Sequence, residues 1–255
     1  MPHAPNLVGP NLVKLALLST LLFPACLGIS DPGDGELNLP IGPGKRVLFV
    51  GNSLTYANDL PAYLTAISVA AGDTAYETRM VAFPDYALED HWNEGTALRV
   101  IRATNWDVVV MQQGPSSLPE NQIFLRDWAV RFAPEIRAAG AEPALYMVWP
   151  ALSRSQDFPG VRTSYANAAA AVNGMFLPAG DAWLRAWARD ASVPLYGPDN
   201  FHPSGYGTFL AALVIYEKLS GRSVVGMPVP VGVSIPAALL QLLQEAAHEA
   251  VTNSG

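Results

Sequence analysis

The stretch RVLFVGNSLTY, residues 46–56, decides the fold class of this 255-residue chain. Its apolar run stops at a glycine and gives way at once to polar residues, which is typical of a buried β-strand that ends in a loop. Ser53 therefore lies at the carboxyl end of the predicted strand. In an open parallel sheet, loops from different strands converge at that end, so we expect Ser53 to meet other loop residues there.

Strand-like and helix-like segments alternate along the rest of the chain. Further strands are predicted at residues 76–83, 106–114, 143–149 and 177–180. Helices are predicted at residues 59–72, 88–103, 121–139, 161–176, 182–190 and 204–220, and an amphipathic helix at 235–251. Repeated strand, helix, strand units predict an α/β domain with a parallel sheet. The length suits one domain with a substantial core.

A second motif, DNFHPSGYG at residues 199–207, places an aspartate and a histidine in a loop before a predicted helix. A serine hydroxyl is a poor nucleophile at neutral pH, so an imidazole must take its proton and a carboxylate must orient that imidazole. We therefore predict a triad of Ser53 as nucleophile, His202 as base and Asp199 as orienting acid. The alternative is that Ser53 only caps the next helix and that the other two only hydrogen-bond within their loop.

With GNS at residues 51–53 and D-x-x-H at residues 199–202, the chain resembles the SGNH (GDSL-like) hydrolase family over residues 45–222. The resemblance implies a three-layer α/β/α sandwich with a flavodoxin-like parallel sheet. It also implies cleavage of carboxylic esters through an acyl-enzyme without a cofactor, on a small-molecule or glycan ester.

The resemblance further implies an oxyanion hole, and here the chain departs from the family pattern. Where the family has a glycine after the second strand, this chain has Pro84 and Asp85. Proline has no amide to donate, whereas the main-chain N–H of Asp85 is available in principle. A carboxylate beside an oxyanion opposes catalysis unless it is turned away or paired.

The loop after the third strand departs as well. Aligning it with the family's G-x-N-D motif places Gly114 at the glycine and Ser116 at the asparagine. Gln112 and Gln113 are alternative donors. Because neighbouring strand residues face opposite sides, only one of the two glutamines can point into the site, and we favour Gln113.

Other histidines and the tryptophans are assigned mainly to packing. His91 lies beside an aromatic residue on a predicted helix, and His248 has no second histidine at metal-ligand spacing, so no metal site is predicted. Trp183 and Trp187 are four apart on a helix, as a core pair would be, whereas Trp149 is expected closest to the cleft. The net charge of −7 and the scattered basic residues argue against a nucleic-acid partner.

The N-terminus predicts export. Residues 15–23 are apolar but too short for a membrane-spanning helix, which needs ~20 residues, so residues 1–25 are interpreted as a signal peptide. The following Cys26 ends a sequence that resembles a bacterial lipobox, so it is either lipidated or an ordinary residue near a conventional cleavage site. Residues 26–44 are predicted to be a flexible tether, and residues 45–255 the hydrolase domain.

Two alternatives to an ester hydrolase stay open. One is a non-catalytic surface lipoprotein that binds glycan with the same cleft, which the unusual oxyanion loops favour. The other is an acyltransferase that passes the acyl group to a sugar. Turnover of a simple acetyl ester separates hydrolysis from binding.

Overall fold

The computed structural model describes residues 42–254, which contain one sheet of five parallel strands. The strands are β1 Arg46–Gly51, β2 Glu77–Ala82, β3 Val108–Met111, β4 Glu142–Tyr146 and β5 Met175–Leu177. Their order across the sheet is β2-β1-β3-β4-β5, and every pair is parallel. This is the flavodoxin-like order, so the predicted fold class is confirmed.

Helices cover both faces of the sheet and complete three layers. They are α1 Ser53–Tyr56, α2 Leu60–Ala70, α3 Leu88–Glu94, α4 Thr96–Ala103, α5 Pro119–Ala138, α6 Phe158–Ala171, α7 Ala179–Arg189, α8 Gly205–Ser220 and α9 Ala237–Thr252, with a 3₁₀ helix at Leu152–Asp157. Helices α3 to α6 pack together on one face. Helices α2, α7, α8 and α9 pack together on the other.

The central strands explain why the decisive stretch is so apolar. β1 lies between β2 and β3 and is covered on both faces, so residues 47–50 are at most 1% exposed. A strand buried on both faces reads as a continuous hydrophobic run. The edge strand β2 carries polar side chains and is mostly half-buried.

Three predicted elements are corrected. The predicted helix 88–103 is two helices, because Gly95 takes a φ of 89° that ends α3 and starts α4. The predicted strand 177–180 is wrong: β5 ends at Leu177, and Ala179 already opens α7. The alanine-rich α6 ends at Ala171, and β5 begins at Met175, so the predicted helix 161–176 also extends too far; periodicity gives no boundary across these few residues.

The predicted signal peptide, Cys26 and most of the predicted tether lie outside the described residues. Within residues 42–254, no helix has the length and apolar character needed to cross a bilayer.

Candidate active site

Ser53 opens α1 directly after the central strand β1, at the predicted position. The residue that caps this helix is Asn52, whose Oδ1 accepts the backbone N–H of Leu54 at 3.1 Å. Asn52 Nδ2 donates to the carbonyl of Tyr86 at 3.0 Å and so joins the turn to the loop after β2. The capping role considered for Ser53 thus belongs to its neighbour, and Ser53 itself is half-buried.

Gln112, at the end of β3, holds this turn in place. Its Oε1 accepts the backbone N–H of Asn52 and the hydroxyl of Thr55, both at 2.9 Å. Its Nε2 donates to Asn52 Oδ1 at 2.8 Å and to the carbonyl of Gln113 at 2.6 Å. A Cβ on Gly51 would lie 2.5 Å from Gln112 Oε1, so only glycine fits before the turn. Sequence reasoning missed this supporting role.

Asp199 and His202 form one hydrogen-bonded pair. The imidazole Nδ1 lies 2.5 Å from Asp199 Oδ2. The other carboxylate oxygen, Oδ1, accepts the backbone N–H groups of Phe201 at 3.0 Å and His202 at 2.9 Å. The pKa of the Asp199 carboxyl is lowered to about 2, chiefly by the hydrogen bond from the imidazole and next by the one from the Phe201 N–H. The carboxylate is therefore ionised at neutral pH and fixed on both oxygens.

The loop that carries His202 is attached to the segment that follows Ser53. Asn58 Nδ2 donates to the carbonyl of Pro203 at 2.8 Å and to the hydroxyl of Thr208 at 3.0 Å. Pro203 follows His202 directly, and Asn58 lies just beyond α1. Two segments far apart in sequence are thus bonded to each other at the carboxyl edge of the sheet.

The predicted oxyanion donors on the β3 loop differ in what their side chains already do. Both amide hydrogens of Gln112 are engaged in the bonds described above. The hydroxyl of Ser116 donates to the carbonyl of Gly114 at 3.0 Å, so its proton is engaged too. Gln113 Nε2 donates to Ser116 Oγ at 2.9 Å and has a second hydrogen. Of these side chains, Gln113 is the one with an amide hydrogen beyond its described bonds.

A cleft of about 380 Å³ lies beside this loop. Its lining includes Gln113, Ser116, Phe124, Arg154, Asp157 and Phe201. Arg154 and Asp157 form a salt bridge at 2.5 Å, and Ser117 Oγ donates to the same carboxylate at 3.2 Å. Since Phe201 directly precedes His202, the cleft adjoins the Asp199–His202 loop. Ser53 and His202 do not belong to its lining in the described part of the chain.

Comparison with known proteins agrees with this architecture. No protein-family model matches the sequence, and no curated protein matches it significantly. A solved structure from Slackia heliotrinireducens, assigned to the SGNH hydrolases, is 27% identical with a TM-score of 0.58 and covers 69% of this chain and 99% of its own. A DUF4886 family protein from Bacteroides uniformis is 20% identical with a TM-score of 0.71, and the match covers 82% of this chain and 95% of that protein. An acetylxylan esterase from Geobacillus stearothermophilus is 15% identical with a TM-score of 0.53, covering 70% and 95%.

The chain has the fold of the SGNH/GDSL-like hydrolases. Each of these neighbours aligns with this chain over almost its whole length, which confirms the predicted resemblance. They also support the prediction that the chain is a hydrolase acting on esters.

The SGNH-like loop after β2 places Asp85 where the resemblance expects glycine. Asp85 is exposed and has a φ of 60°, in the left-handed region that favours glycine. Asp85 therefore adopts a backbone conformation that glycine favours, and its main-chain N–H stays a predicted oxyanion donor.

The remaining histidines serve packing and local hydrogen bonds in this SGNH-like domain. His91 is fully buried, contacts the rings of Phe83 and Tyr86, and its Nε2 donates to the carbonyl of Gly51 at 2.7 Å. His248 Nδ1 pairs with Glu217 Oε1 at 2.6 Å. Among residues 42–254, no cluster of three or more His, Cys, Asp or Glu side chains could hold a metal ion.

The structure places the singled-out tryptophans in or against the core. Trp183 is fully buried and contacts Trp187 at a ring-centroid distance of 5.5 Å, so the predicted core pair is confirmed. Trp149 is fully buried with its ring stacked on Trp183, and its Nε1 donates to the carbonyl of Phe201, a residue of the cleft lining, so it lies near the cleft without lining it. The next residue, Pro150, lines the cleft instead.

Proposed function

We propose that this chain is an exported serine hydrolase that cleaves carboxylic esters with Ser53, His202 and Asp199. The observation that carries the proposal is the Asp199–His202 pair, which leaves the imidazole Nε2 for a nucleophile. Further support comes from the position of Ser53 after β1, at the switch point between β1 and β3 where ligands bind in such sheets. The acetylxylan esterase was solved as two catalytic mutants, at an aspartate and at a histidine three positions later.

The reaction follows from the chemistry of these groups. His202 Nε2 takes the proton of the Ser53 hydroxyl as its oxygen attacks the ester carbonyl, and the carbonyl oxygen becomes an oxyanion. That oxyanion is stabilised by the amide hydrogen of Gln113 and by the backbone N–H groups of Asp85 and Ser53, the last being in the first turn of α1. Collapse expels the alcohol, which receives the proton from His202. Water then releases the acid in the same way.

Asp199 stabilises the imidazolium without changing protonation. Its pKa of about 2 keeps it anionic throughout the cycle. Its two backbone bonds hold the carboxylate beside His202 Nδ1, so the imidazole keeps its proton on Nδ1 and offers Nε2 to Ser53.

We further propose an O-acyl group on carbohydrate as the substrate. The cleft combines two aromatic side chains, Phe124 and Phe201, with the polar side chains of Asn121, Arg154 and Asp157. Aromatic rings contact the apolar faces of sugars, and the polar groups offer partners for hydroxyls. The acetylxylan esterase among the structural neighbours is consistent with this substrate class.

Export and anchoring are proposed from the sequence alone. The apolar run at residues 15–23 and the lipobox-like residues ending at Cys26 support a lipid-anchored mature chain. Mass spectrometry of the mature N-terminus should find a diacylated Cys26, and Cys26→Ser should leave the membrane fraction. A mature N-terminus beyond residue 26 would remove the anchor.

The triad is tested with 4-nitrophenyl acetate and a fluorophosphonate probe. Ser53→Ala, His202→Ala and the double variant should all lose turnover to a similar extent, because residues that act as one unit give strongly non-additive losses. Ser53→Ala should also lose labelling, whereas Ser153→Ala, an exposed serine, keeps it. Multiplicative losses in the double variant, or labelling that survives Ser53→Ala, contradict the triad. A wild-type chain with neither turnover nor labelling points to the glycan-binding alternative.

A further inference from the structure

Two stacked tryptophans lie beneath the loop that carries His202. Trp149 follows β4, Trp183 belongs to α7, and both are fully buried. Their ring centroids are 3.6 Å apart with an interplanar angle of 12°. The two rings therefore form one rigid surface within the core.

Each indole donates its N–H to the backbone on a different side of His202. Trp149 Nε1 donates to the carbonyl of Phe201 at 3.0 Å, and Phe201 directly precedes His202. Trp183 Nε1 donates to the carbonyl of Gly207 at 3.4 Å, in the first turn of α8. A Cβ on Gly207 would lie 2.6 Å from Trp183 Cζ2, so the backbone approaches this ring as closely as glycine allows. The two indoles thus bind the backbone on both sides of His202 in the sequence.

Two further bonds tie the same loop to the residues after β4. The hydroxyl of Tyr196 donates to the carbonyl of Pro150 at 2.6 Å, and the N–H of Leu152 donates to the carbonyl of Asn200 at 2.9 Å. The loop is consequently held from below by the chain that leaves β4. From above it is open, since the side chains of His202 and Asp199 are 37% and 52% exposed.

We propose that Trp149 is a positioning residue for His202, a role that rests on the proposed function of that histidine. With little packing above the imidazole, its direction depends on the bond to Asp199 and on the backbone below it. The indole N–H of Trp149 fixes the carbonyl of Phe201 and with it the peptide that leads into His202. A displacement of about 1 Å at a reacting group is enough to lower a rate by about a hundredfold. Losing this bond therefore impairs proton transfer more than substrate binding.

The test removes the N–H and compares two buried tryptophans. Trp106 is the matched control, because it is 2% exposed and its Nε1 donates to the carbonyl of Val100 at 3.0 Å, within α4 and its following loop. Trp149→Phe should lower kcat about tenfold or more with KM changed less than about twofold, whereas Trp106→Phe should change kcat less than about twofold. Thermal melting of both variants separates loss of fold from loss of rate.

A second substitution keeps the ring, should phenylalanine at position 149 disturb the fold. Benzothienylalanine at position 149 retains a bicyclic ring to stack on Trp183 but carries sulfur in place of the N–H. It should reproduce the fall in kcat, and the same replacement at position 106 should not.

A spectroscopic measurement reads the imidazole directly. The low-field proton resonance of His202 Nδ1, in its 2.5 Å bond to Asp199, should move or broaden in both position-149 variants and stay in place in both position-106 variants. Equal kcat values and unchanged resonances at the two positions would falsify the role of Trp149. Full turnover in His202→Ala would instead overturn the proposed function, so the two failures are distinguishable.

Discussion

Gln112 Oε1 accepts the backbone N–H of Asn52 at 2.9 Å, so the end of β3 fixes the residue that precedes Ser53. The two residues are 60 positions apart, and both are buried. The same carboxamide also binds the side chain of Asn52 and the hydroxyl of Thr55. The position of the proposed nucleophile therefore depends on a side chain from the neighbouring strand.

Gln112→Met should reduce both stability and turnover. Methionine is close to glutamine in volume but leaves the N–H of Asn52 and the hydroxyl of Thr55 buried without their partner, at about 1–3 kcal/mol for each such group. We expect a fall of at least about 2 kcal/mol in the free energy of unfolding by urea and at least a tenfold loss of kcat. Gln122→Met is the control, since Gln122 also donates to a carbonyl, that of Ser117, but away from the turn. A stable Gln112→Met enzyme with full turnover contradicts this role.

Gln113→Ala should lower turnover more than stability. One oxyanion donor is worth ~2.7–4 kcal/mol in the barrier, so kcat should fall by about a hundredfold or more. Ser116→Ala should change kcat by less than about threefold, because its hydroxyl proton is given to Gly114. Steady-state kinetics on one acetyl ester compares the two variants. The opposite ranking would assign the donor to Ser116.

The contrast between Gln112 and Gln113 marks how far the sequence can be interpreted. The parallel sheet and the position of Ser53 were predictable, since β1 is buried on both faces and its apolar run records that burial. The Asp199–His202 pair was predictable because the two residues are three apart and meet within one loop. The supporting role of Gln112, as distinct from that of Gln113, was not predictable, because the two side chains bond to residues 52 and 88, which are far away in sequence.

Gly51→Ala should destabilise the domain by overpacking. The added Cβ would lie 2.5 Å from Gln112 Oε1 and 2.6 Å from Thr55 Oγ1. Those two side chains are hydrogen-bonded to each other within the core. Forcing an extra methyl group into such a site costs about 1–3 kcal/mol. Gly114→Ala is the matched control at the same edge of the sheet, because nothing lies within 4 Å of its Cβ position. Urea unfolding of the two variants should differ accordingly, and equal stabilities contradict the steric argument.

The acid limb of the pH–rate profile should report a single proton. The pKa of Asp199 is about 2, so this carboxylate stays ionised between about pH 4 and pH 9. Within the triad, only the general base must then lose a proton before it can act. A plot of log kcat/KM against pH should have a limiting acid slope of one. A slope of two would mean that a second group, such as a carboxylate in the site, must also be ionised.

His91 should make the stability of the domain depend on pH. Burial lowers the pKa of this imidazole, although its bond to the Gly51 carbonyl partly opposes the shift. In the unfolded chain a histidine titrates near 6.5. Below about pH 6.5 the unfolded state therefore binds a proton that the native state refuses, and the free energy of unfolding decreases as the pH falls, by at most ~1.4 kcal/mol per pH unit for one proton.

His91→Gln isolates this contribution, because a glutamine amide can still donate to the Gly51 carbonyl but does not titrate. As the pH falls below about 6.5, the free energy of unfolding of wild type should decrease relative to that of His91→Gln. Above about pH 7.5 the difference between the two should be constant. Urea unfolding at four or more pH values measures it. A constant difference across the whole range would mean that the native state accepts the proton at His91 as readily as the unfolded chain.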